Sequence, residues 1–101
     1  MTQAVEQRVR TALARAKKRL PRHVVALRHR LDTDSSGQDA VYVWIIIDDG
    51  APEEVWAYEA TSPLGDVVEQ ALSAAGVDLW PYVLFRAKSE QDEFDAERTS
   101  A

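Results

Sequence analysis

The residues of this chain best suited to chemistry are carboxylates grouped at two turns, a histidine between two arginines, and aromatic side chains spaced along strand-like runs. Asp32-Thr-Asp34-Ser-Ser36-Gly37 sets oxygen-bearing side chains at alternate positions ahead of a glycine, as in the first half of an EF-hand loop. Val43 stands where that loop's bidentate glutamate belongs. Asp32, Asp34 and Ser36 are thus the candidate cation ligands, and the same residue types also build a plain hairpin turn. Asp48-Asp49 ends an apolar run, a position where carboxylates either hold magnesium or face solvent. A metal-dependent enzyme would have to draw on Asp32, Asp34, Asp48 and Asp49.

His29, flanked by Arg28 and Arg30, could serve as a base or a ligand. His23 is the only other histidine, and the two lack the i, i+4 spacing of paired ligands on a helix. On the buried face of a strand, His29 is expected to hydrogen-bond a backbone carbonyl. The chain has no Cys, which excludes disulfides, thiolate metal sites and cysteine nucleophiles. It also has no Gly-x-Ser-x-Gly elbow, phosphate loop or His-Glu-x-x-His run. No catalytic residue, metal or cofactor is therefore assigned, and a non-enzymatic module is expected.

The elements that must position these groups follow from periodicity. Residues 3–20 carry Val5, Val9, Ala12, Leu13, Ala16 and Leu20 on one helical stripe. Thr2 is placed to cap this helix and Pro21 to stop it. Residues 23–31 alternate as a strand, and 40–48 form a β-branched, aromatic strand apolar on both faces, hence central. A short helix is expected over 52–60. A second helix should start at Ser62-Pro63 and end at Gly76. Residues 79–88 form the third strand, with Pro81 at its start or on an edge. The polar, acidic stretch 89–101 reads as a flexible tail. The expected fold is α+β: one domain over 1–88, in the order α-β-β-α(α)-β, with a three-stranded mixed sheet and helices on at least one face. The first two strands should be antiparallel, and the second and third parallel through a helical crossover.

Sorting the strands by parity separates two chemistries. Odd positions are aliphatic: Val25, Leu27, Leu31, Val41, Val43, Ile45, Ile47, Leu79, Val83 and Phe85. Even positions hold Tyr42, Trp44, Trp80, Tyr82 and Leu84, with Arg28, Arg30 and Arg86 at the margin. If the helices all cover the odd face, the even face is open. If one helix covers each, the aromatics are core. Aromatic residues with arginine make the centres of protein interfaces and also stack single-stranded bases. These eight even-face residues are the candidate interface of a self-associating module, either a homodimer or the mate of a protein partner. Single-stranded nucleic-acid binding is the alternative.

Charge is unevenly spread. Nine of the twelve basic residues fall in residues 1–31 beside one acid, Glu6, and sixteen of the seventeen acids fall in 32–101. The net charge of −5 does not favour general nucleic-acid binding. No apolar run approaches a spanning helix and no signal-peptide core is present, so a cytoplasmic protein without a membrane role is expected.

Two resemblances add to this reading. Leu27-Arg-His-Arg-Leu, with Leu79-Trp-Pro-Tyr-Val-Leu-Phe-Arg86, resembles small bacterial α-β-β-α-β proteins of about this length, which implies a compact domain and a bacterial source. The element order resembles the type II K-homology domain, which implies single-stranded nucleic-acid binding through a Gly-x-x-Gly loop between the middle helices. The matching stretch here is Ser62-Pro63-Leu64-Gly65, which lacks the first glycine.

Overall fold

The structure is a computed structural model and describes residues 3–100. Its elements are α1 (Gln3–Arg19), β1 (Val24–Thr33), β2 (Asp39–Ile47), a 3-10 turn (Glu53–Trp56), α2 (Tyr58–Ala74), β3 (Trp80–Ala87) and α3 (Lys88–Ser100). The sheet is mixed, in the order β1-β2-β3. β1 pairs antiparallel with β2, and β2 pairs parallel with β3 across the α2 crossover. The expected α+β class, the strand pairings and the central place of the second strand all hold. Thr2, the expected cap of α1, lies outside the described residues. Among the described residues, no helix is long and apolar enough to cross a membrane.

β2 anchors the core because it is apolar on both sides. Val41, Val43, Ile45 and Ile47 are fully buried and form one cluster with Val9, Ala12, Leu13 and Ala16 of α1 and with Leu64, Val68 and Leu72 of α2. Both helices therefore pack on the odd face, each through the i, i+3, i+4 stripe that its sequence provides. Gly76, at φ +75°, ends α2. Its N–H donates to Ser73 and that of Val77 to the Leu72 carbonyl at 3.1 Å, a left-handed cap that suits a glycine.

Four local expectations are corrected. First, α2 does not start at Ser62-Pro63: it runs through Pro63 from Tyr58, with Ala57 as its N-cap residue. Pro63 is the sixth residue of the helix, past the first turn, so the ladder forgoes the bond that a donor there would make to the Glu59 carbonyl, and the Thr61 hydroxyl donates to the Tyr58 carbonyl nearby at 3.4 Å. Second, the short helix expected over 52–60 is only a 3-10 turn. Third, the register of β1 shifts between Val24, opposite Ile47, and Ala26, opposite Ile46. Val25 is the extra residue of a β-bulge, so alternation breaks there. Val24, not Val25, joins the core cluster, and Val25 is 39% exposed.

Fourth, residues 88–100 form a helix where a flexible tail was expected. Such a polar stretch has no apolar stripe to announce a helix. It is held by local and docking bonds instead. Lys88 pairs with Asp92 four residues on, and the Ser89 N–H donates to Asp49 Oδ1 at 3.2 Å. That carboxylate, brought from the end of β2, meets a donor left unpaired in the first turn.

The bulge generates a testable contrast between adjacent valines. Val24→Ala should cost about 2 kcal/mol by the cavity it opens. Val25→Ala should cost less than about 0.5 kcal/mol. Urea unfolding of the two variants checks this; equal losses would mean that strict alternation continues through Val25.

Candidate functional site

The even face of the sheet is built as cross-strand rows. Arg30, Tyr42 and Tyr82 stand side by side, then Arg28, Trp44 and Leu84, then Ala26, Ile46 and Arg86. The Tyr42 and Tyr82 rings stack at 5.0 Å, and Tyr42 and Trp44 at 6.2 Å. Arg30 lies over Tyr42 at 5.5 Å and over Trp44 at 5.8 Å. Arg86 lies over Trp44 at 5.1 Å and over Phe94 at 4.2 Å. Each such cation–ring contact stabilises by about 0.5–1 kcal/mol where water still reaches it.

The sequence left open whether this face is covered, and the outcome is intermediate. α1 and α2 lie on the other side, while α3 folds back over one end of the even face. Arg28 donates two parallel bonds to Asp95, at 2.9 and 3.0 Å. Arg86 donates to Gln91 at 2.9 Å, and Gln91 in turn donates to Asp95 at 3.0 Å. Ile46 beneath is fully buried and Gln91 nearly so. Arg28 and Arg86, two of the candidate interface residues, thus serve first to hold α3, and the Trp44 ring of the same set supports Arg86. Beyond the helix, Trp80 is 59% and Leu84 40% exposed.

Gln91, Phe94, Asp95 and Arg98, which the structure brings to this face, are absent from the expected site residues. Their spacing sets them on one face of a helix, and that spacing, with a lone aromatic in a polar run, was the available signal. Arg28, Arg30, Trp44, Arg86, Phe94 and Arg98 line a cleft of about 440 Å³ between α3 and the sheet.

The carboxylates have local duties. Asp34 Oδ1 accepts from the backbone of Ser36 and Gln38 and from the Ser36 hydroxyl, at 2.7–3.0 Å, while Oδ2 accepts from the Tyr82 hydroxyl at 3.0 Å. With Gly37 at φ +84°, this is a hairpin turn tied to the third strand. The hydrogen bond from Ser36 leads those that hold the Asp34 carboxyl below its usual range, and the bond to Asp34 raises the Tyr82 phenol. Asp32 accepts from the Thr33 N–H and approaches Arg30 at 3.5 Å. Asp48 and Asp49 lie at the other end of β2, about 30 Å away at strand rise, so the four acids do not assemble into one metal centre. Among the described residues, no group of three or more His, Cys, Asp or Glu is placed to hold a metal ion.

His29 faces α1, and its partner corrects the expectation of a backbone carbonyl: Nε2 meets Glu6 Oε1 at 2.7 Å. Arg10 donates to the same oxygen at 3.0 Å. The His29 hydrogen bond first, and Arg10 after it, hold Glu6 below the usual carboxylate range. The stretch Ser62–Gly65 lies within α2 and offers no loop. Gly65 faces β3 instead: a Cβ there would meet Val83 Cγ1 at 3.9 Å.

The docking of α3 carries a pH signature. The Arg28 hydrogen bonds, then that of Gln91, hold Asp95 below its ordinary value. A carboxyl depressed in the folded state contributes stability above its unfolded pKa and loses it as pH falls through the folded one. Protection factors of the α3 amides, the observed exchange corrected for its intrinsic pH dependence, should be level down to about pH 5 and fall below about pH 4. Asp95→Asn should show faster α3 exchange already at pH 7, by roughly tenfold. An Asp95→Asn profile matching the parent's would show that the pair does not hold the helix.

Compared with known proteins, the chain matches no family model, no curated protein and no solved structure.

Proposed function

We propose that the protein is a non-enzymatic binding module that forms a homodimer through the part of the even face that α3 leaves uncovered. The observation that carries this reading is the exposure of Trp80 (59%) and Leu84 (40%) beside the stacked Tyr42 and Tyr82 rings. Tryptophan and tyrosine with an arginine at the border are the residues that dominate interface energetics. An apolar strip of this kind on an otherwise charged surface is a docking surface by default.

A second copy suits this strip through its charge. Arg30 and Asp32 share the face and stand 3.5 Å apart. In a two-fold arrangement each could exchange that partner for the other copy's, since a two-fold interface must be self-complementary. Nucleic acid is the less favoured occupant, because the net charge of −5 repels phosphates.

Sedimentation velocity at micromolar concentration should show a dimer. Trp80→Ala should weaken it by roughly thirtyfold or more, as loss of an interface anchor does. Stability of the monomer should change by less than about 1 kcal/mol, because this side chain is already exposed. A monomer at every concentration up to about 100 μM would overturn the reading.

A further inference from the structure

From the cleft under α3 we infer a binding site for a small phosphomonoester dianion, with Arg30, Arg86 and Arg98 as its ligating groups. The cleft volume of about 440 Å³ falls in the range of small-molecule sites, about 300–1,000 Å³. The three arginines come from three elements, β1, β3 and α3, and line this one space. Two of them converge on one ring: the guanidinium carbons of Arg30 and Arg86 lie 5.8 and 5.1 Å from the Trp44 centroid.

Charge selects the ligand class. Four guanidinium groups line the cleft once Arg28 is included. Among the described residues two carboxylates oppose them: Asp95, bound by two parallel bonds to Arg28 and within the field of Arg98, and Asp32, at 3.5 Å from Arg30. His29, also at the wall, is met by Glu6 on its α1 side. Four guanidiniums against two carboxylates leave an excess of two positive charges in a chain of net charge −5. A phosphomonoester brings roughly that charge, near −2 at neutral pH, with three acceptor oxygens.

Geometry favours a tetrahedral anion over a planar one. The Tyr42 and Trp44 rings hold the Arg30 guanidinium by its face and leave its edge to donate, while Arg86 lies over both Trp44 and Phe94 with one N–H on Gln91 and keeps its remaining N–H groups. Donors from three elements suit an anion with three acceptor oxygens, whereas one guanidinium can serve both oxygens of a carboxylate, as Arg28 does for Asp95. Phe94, 44% exposed at the cleft wall, offers an apolar contact for the organic part of the ligand. The cleft lies within one chain, but Arg30 also borders the proposed dimer face, so Arg98→Gln, on α3, is the variant that weakens the ligand while leaving the dimer as it is.

Isothermal titration with phenyl phosphate, phenyl sulfate, inorganic phosphate and an unphosphorylated oligo-dT tests this assignment. Phenyl phosphate should bind one per chain, about tenfold tighter than the monoanionic phenyl sulfate. Inorganic phosphate should compete for the same site but bind more weakly, for want of the Phe94 contact. Arg30→Gln and Arg98→Gln, both at exposed positions, should each weaken phenyl phosphate about tenfold while leaving the thermal transition in place. Three results would overturn the assignment: no saturable binding of phenyl phosphate up to about 10 mM, unchanged affinity in both variants, or oligo-dT binding tighter than phenyl phosphate. The last would assign the cleft to a nucleic-acid backbone.

Discussion

A two-layer α+β domain hides one face of its sheet, and β2 carries apolar side chains on both. Val41, Val43, Ile45 and Ile47 point to α1 and α2, while Ile46 points the other way and is just as deeply buried. Leaving Ile46 in water would cost about 2 kcal/mol. Something must therefore cover the even face at that row, and α3 does so. The rest of the even side follows from how that helix is fastened. A helix with Phe94 as its one large apolar residue cannot be held by a hydrophobic stripe. It is held by Arg28 on Asp95 and by Arg86 against Gln91 and Phe94.

The arginines of the two edge strands are thus part of the fold before they are part of any surface. Arg86 lies across two rings, one on the sheet and one on α3, and so joins the layers where no aliphatic contact would. This arrangement keeps the coverage partial. Polar docking groups need hydration and leave gaps, and the cleft beside Trp44 is such a gap. Had residues 91, 94, 95 and 98 all been leucine, the second layer could have sealed over the aromatics and turned Trp44 into core.

What was legible in the sequence was whatever rests on apolar period. The stripe of Val9, Ala12, Leu13 and Ala16, the continuous apolar run of β2 and the glycine after α2 fixed the sheet order, the pairings and the covered face. What was not legible depends on single contacts between distant residues. The bulge at Val25 has no local signature in a run of Val, Val and Ala, yet it moves Val24 into the core. Pro63 imitates a helix start, because a proline directly after a serine is the pattern of the first helical position behind its cap. α3 could not be seen, because its partners, Asp49, Arg28 and Arg86, lie 40 or more residues away or on another element. Of the candidate site, the eight sheet residues were visible by parity. The division among them was hidden with the helix that causes it: Arg28, Arg30, Trp44 and Arg86 line the cleft under α3, and the other four lie beyond it.

The uneven charge of the chain takes a definite form on this frame. The one acid of the basic third, Glu6, is not a stray: it takes both His29 and Arg10, which ties α1 to β1. The two strand arginines of that third have different fates. Arg28 is matched by a carboxylate in bidentate geometry, which satisfies its direction as well as its charge. Arg30 has only the looser approach of Asp32 and the faces of two rings, which attract a cation without neutralising it. A guanidinium stacked in this way keeps its charge and its in-plane donors available. The two neighbours on β1 therefore differ in what they leave open: the arginine that α3 satisfies belongs to the architecture, and the arginine left on the rings is the one the proposed site can use.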